Sequence, residues 1–138
     1  MNFAKQSNSG QEVELAELIF DSTKQSIATE GTRSTSAIAR QLLFQAGSLC
    51  IDMCVQPKPG SDIVVLIGQL LDSRHPDHGI KDIPVQLLCE GNTISDDKTN
   101  DVGEFEFAIE CRQDMQLSFG IAKRRKLIVP LPTASTVA

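Results

Sequence analysis

A chain of 138 residues with 41% apolar side chains is long enough for one domain with its own core, since domains run to about 100–200 residues. Its formal net charge of −5 excludes a broad nucleic-acid surface, because phosphates demand an excess of Lys and Arg. No run reaches the ~18 apolar residues of a membrane-crossing helix, and the opening MNFAKQSNSGQEVE lacks the apolar centre and cleavage site of a secretory signal, so the expected compartment is the cytoplasm.

In chain order, residues 1–14 are polar and without period, which predicts disorder. LAELIFDS, from Leu15 to Ser22, allows a short strand near residues 15–20. TKQSIATEGTRSTSA is rich in Ser and Thr and reads as a loop. Residues 1–37 are thus expected to be a flexible leader, 38–132 the folded domain and 133–138 a flexible tail.

Within the domain the apolar period is two, the period of strands. Leu49, Ile51, Met53 and Val55 share one face, opposite Cys50, Asp52 and Cys54. Ile83, Val85, Leu87 and Cys89 share another. Phe105, Phe107, Ile109 and Cys111 alternate with Glu104, Glu106, Ala108 and Glu110, and Met115, Leu117, Phe119 and Ile121 continue the pattern. Turn chemistry in QPKPGSD, EGN, NDVG and KRRK separates these runs. The basic KRRK, Lys123–Lys126, reads as a solvated hairpin turn. The expected fold is all-β: an antiparallel sandwich of seven or eight strands, transthyretin-like or Ig-like, behind a partly disordered leader.

Chemistry-bearing motifs are sparse. DSRHPDHGIKD holds the chain's two histidines, but His75, Asp77 and His78 are too few to close a zinc site, and a solvated turn is expected. The four cysteines lack zinc-knuckle spacing and read as reduced thiols, with Cys89 and Cys111 inward. Asp96, Asp97, Asn100, Asp101 and Glu104 offer oxygen donors, but not at EF-hand spacing, so a polar hairpin is expected rather than an ion site. No nucleophile elbow and no paired buried carboxylates occur. No catalytic, cofactor or metal residue is assigned.

Three elements in order carry a family resemblance. IGQLLDS supplies Ile67, Gly68, Leu70 and Asp72; GIKDIPVQLL supplies Ile83, Pro84, Val85 and Leu87; TNDVGEFEF supplies Thr99, Asn100, Gly103, Phe105 and Phe107. In this, Val65 to Ile121 resembles the carboxypeptidase regulatory-like domain, a transthyretin-like (prealbumin-like) sandwich, here as a stand-alone bacterial protein. The chain departs from the family pattern in CRQDMQLSFG, where Met115 stands near an expected aromatic, and in RQLLFQAGSLCIDMCV, which lies outside the pattern. The layout also resembles small bacterial proteins associated with sigma factors and CHAT-type proteases. What the resemblance implies is a non-enzymatic accessory module of a signalling or stress-response system, with another protein or a second copy as partner. Its extracellular relatives imply the alternative of a carbohydrate- or surface-binding module, for which aromatic side chains would have to be exposed.

DIVVLIGQLLD, Asp62–Asp72, breaks the alternation, since Ile63, Val65 and Ile67 are apolar and so are Val64, Leu66 and Leu70. A run apolar on both sides predicts a strand covered on both faces, while a sandwich covers only one. The expected second cover is the leader together with a partner, at Val64, Leu66, Leu70, Leu18 and Phe20.

Overall fold

The computed structural model describes residues 12–23, 39–110 and 114–132. They contain no α-helix. The strands are β1 (Glu12–Leu15), β2 (Glu17–Asp21), β3 (Arg40–Ala46), β4 (Leu49–Pro57), β5 (Ile63–Asp72), β6 (His75–Gly79), β7 (Pro84–Cys89), β8 (Asn92–Lys98), β9 (Glu104–Glu110), β10 (Met115–Ala122) and β11 (Arg125–Pro130). A five-stranded sheet has the order β1-β11-β10-β7-β8. A six-stranded sheet has the order β2-β3-β4-β5-β6, and β9 also pairs with β5. Along one edge β5 meets β4 throughout; along the other it meets β9 from Ile63 to Gln69, then the short β6 at Leu71 and Asp72.

Alternation dictates what lies between the sheets. Phe44, Ile51, Met53, Leu66, Leu70, Phe105 and Phe107 point inward from the six-stranded sheet, and Val85, Leu87, Leu117, Phe119, Leu127 and Val129 from the other. The Phe105 and Phe119 rings meet edge to face at 5.3 Å, joining the two sheets. Gly68 admits this ring: a Cβ there would overlap Phe105 and Met53. The unclosed two-sheet architecture is therefore all-β, with one core.

The structure corrects the strand inventory. Among the described residues eleven strands stand where seven or eight were expected, because short segments at the edges count too. β2 stands where a short strand was expected near residues 15–20, while β1 lies mostly in the stretch expected to be disordered. Ala16, between them, is 7% exposed and steps the chain from one sheet to the other. β1 runs parallel to β11, the one departure from antiparallel pairing among the described strands. Arg125 ties the two together through a 2.8 Å contact to Glu14. Residues 1–11 and 24–37 of the expected leader, the expected tail and Cys111 lie outside the described residues.

The loops between sheets have latches of their own. Thr99 is 2% exposed; its hydroxyl donates to the Ile80 carbonyl at 2.7 Å and accepts from the Ile83 amide at 2.8 Å. Asn100 accepts from the amides of Val102 and Glu104, while Gly103 takes φ +84° beside the Gly79 backbone. These residues of TNDVG therefore shape the crossing from β8 to β9. Lys123 and Arg124 form the turn between β10 and β11; Arg125 and Lys126, expected in that turn, are the first residues of β11 and half-buried.

Candidate interaction surface

Pairing β5 against β4 and β9 settles which of its faces is wet. Val64, Leu66, Gly68 and Leu70 turn toward the core; Ile63, Val65, Ile67, Gln69 and Leu71 turn outward. On the outer side, cross-strand partners form rows. Phe20, Leu43, Asp52, Gln69 and Glu104 make one. Gln41, Cys54, Ile67 and Glu106 make the next, with Gln41 donating to Asp52 at 3.1 Å. Gln56, Val65 and Ala108 follow, then Ile63 beside Glu110. An apolar strip thus runs along β5 from Ile63 to Ile67; Gln69 parts it from Leu71, and Asp52 and Gln69 part it from Leu43 and Phe20.

The strip is open. Ile67 is 41% exposed and Phe20 36%; Ile63, Val65, Leu71 and Leu43 are half-buried by their strand neighbours. Two shallow depressions lie along β9. One, at the Ile67 end, is lined by Asp97, Lys98, Asn100, Glu104 and Glu106; the other, at the Ile63 end, by Pro57, Ser61, Asp62 and Glu110. Beside the first, the Asp97 carboxylate accepts the Glu106 amide at 2.9 Å and so occupies part of the edge of β9.

Of the residues expected to bind a partner, only Phe20 stands on this face. Leu66 and Leu70 are 2% and 0% exposed and belong to the core. Val64 is half-buried on the inward side, and Leu18 packs against the core beside Phe44. β2 lies three places from β5 in the sheet, so the described part of the N-terminal segment, residues 12–23, does not cover β5. The surface residues that sequence reasoning missed are Ile63, Val65, Ile67, Leu71 and Leu43. Gln69 was the available signal: it is the one polar side chain between Ile63 and Leu71, and its parity marks the wet side.

The histidine segment is a strand where a turn was expected. Ser73 and Arg74 make the turn, and β6 folds back on the end of β5, leaving His75, Asp77 and His78 exposed. Asp72 shapes that turn. It accepts the Arg74 amide at 3.0 Å and pairs with the guanidinium at 2.8 Å, which holds its carboxyl well below the usual range. Among the described residues no three His, Cys, Asp or Glu side chains converge as metal ligands would.

What fold and surface define is an all-β, two-sheet protein with an open apolar strip on one outer face. Comparison with known proteins finds no matching family model, no similar curated protein and no similar solved structure.

Proposed function

We propose that this chain is a non-enzymatic protein-interaction module that holds its partner against the outer face of the six-stranded sheet. The observation that carries the reading is the contiguous strip of Ile63, Val65 and Ile67 on the wet side of β5. Apolar rows on the outside of a sheet are costly to leave in water, and contiguous ones mark docking sites. The finer reading is a transthyretin-like, carboxypeptidase regulatory-like sandwich serving a bacterial signalling or stress-response system. It rests on the three sequence elements; the close approach at Gly68, Pro84 as the first residue of β7 and the Thr99–Gly103 turn are compatible with it.

The test is a pair of neutral substitutions, Val65→Gln with Ile67→Gln, beside the core control Leu66→Ala. The double variant keeps its melting temperature and loses at least about tenfold in affinity for the protein partner that wild type retains from source cells. Leu66→Ala instead destabilises by about 3 kcal/mol. Unchanged partner recovery by the double variant, or retention of wild type on polysaccharide with no protein partner, overturns the proposal.

A further inference from the structure

The charges around the strip specify its occupant. Outward positions on β2, β3, β4, β5 and β9 carry Glu17, Asp52, Glu104, Glu106 and Glu110, and neither a lysine nor an arginine. The register places Glu110 directly beside Ile63, Glu106 beside Ile67 and Glu104 beside Gln69, so a line of carboxylates runs alongside the apolar line. Asp97 of β8 lies just beyond and reaches the β9 backbone, and Lys98 next to it is the single cation lining the depression there. Among the described residues neither Glu104 nor Glu106 is in an ion pair; Glu104 has only the Asn100 amide, at 3.3 Å.

We infer that the occupant is a polypeptide whose apolar ridge is bordered by lysine or arginine. This deepens the interaction reading and rests on it. A second copy of this chain is a poor occupant, because it would bring together two faces whose strand positions carry carboxylates and neither lysine nor arginine, leaving like charges without a counter-charge. Anionic lipid and nucleic acid are repelled for the same reason. A basic border instead meets Glu104 and Glu106 at the rim, where charge governs association rate and salt dependence, while the apolar ridge fills the strip and governs dissociation.

Two synthetic strands probe this directly, one alternating valine with lysine and the other alternating valine with glutamate. Binding is followed by backbone amide shifts of the whole chain, at low and at high salt. The lysine strand is expected to shift amides of β4, β5 and β9, to bind more weakly at high salt, and to lose about threefold in affinity for each of Glu104→Gln and Glu106→Gln. Glu12→Gln, on the other sheet, leaves binding unchanged, and wild type sediments as a monomer.

Equal binding of the glutamate strand, no binding of the lysine strand, shifts centred on the five-stranded sheet, or a dimer that Val65→Gln with Ile67→Gln dissociates would overturn the inference. If the natural partner is lost on the Val65 and Ile67 substitutions but not on Glu104→Gln with Glu106→Gln, the basic border fails and the interaction reading stands.

Discussion

Asp21 closes β2 with a carboxylate that is 5% exposed. Arg40 of β3 grips it from two nitrogens, at 3.0 and 2.7 Å, and the Thr23 amide and hydroxyl add to the hold. The guanidinium contact keeps the Asp21 carboxyl far below its ordinary value of 3.8, against the opposing effect of burial. The group binds its proton more weakly folded than unfolded, so the pair stabilises fully above the ordinary carboxylate value and loses that contribution as pH falls below it. Asp21→Asn therefore costs about 2 kcal/mol near neutral pH, because it takes the Asp21 charge away from the largely buried guanidinium. Urea unfolding across the acid range should show the difference between variant and wild type shrinking below about pH 4. A constant difference at every pH would show that the pair contributes no charge-dependent stability.

At the scale of the strand, alternation was legible wherever one face is polar. β4 and β9 read correctly because Asp52 and the Glu row mark their wet sides. β7 read correctly because Gln86 interrupts it. β5 did not, because both of its sides are apolar and its facing depends on partners distant in sequence: β4 and β9 set its register. β6 escaped notice because five residues of HPDHG carry no apolar alternation; its pairing comes from the turn that Asp72 and Arg74 make.

The strand facings predict thiol chemistry. Cys89 is 7% exposed, at the inward end of β7, and Cys50 and Cys54 are half-buried on the outer side of β4. In native buffer a thiol reagent should label Cys54 and Cys50 first and Cys89 only as the protein unfolds, read residue by residue by mass spectrometry after digestion. Early labelling of Cys89 would mean that the β7 register is wrong.

At the scale of the molecule, the N-terminal strands close one side of the structure. β1 completes the five-stranded sheet beside β11, β2 completes the six-stranded sheet beside β3, and Ala16 plugs the gap between them. Removing residues 1–21 strips both edges, exposes the flanks of Phe44 and Leu127 and leaves Arg40 without Asp21. The truncated chain is expected to lose more than about 4 kcal/mol and to aggregate through its bared edges. Calorimetry and light scattering check this, and a truncated chain that melts like wild type would show that the two strands add nothing to the core.

The sequence by itself determined the all-β class, the inward sets of β4, β7 and β9, and the turns at Gly91 and Gly103, because period-two alternation and positive-φ turns are local physical constraints. Tertiary structure alone decided that Glu12–Leu15 forms a strand and that β1 and β2 take edges of different sheets, which face of β5 meets water, and which carboxylates stand beside its apolar strip. Those outcomes depend on pairings between segments far apart in the chain. A strand apolar on both sides carries no local mark of which side the other sheet will cover.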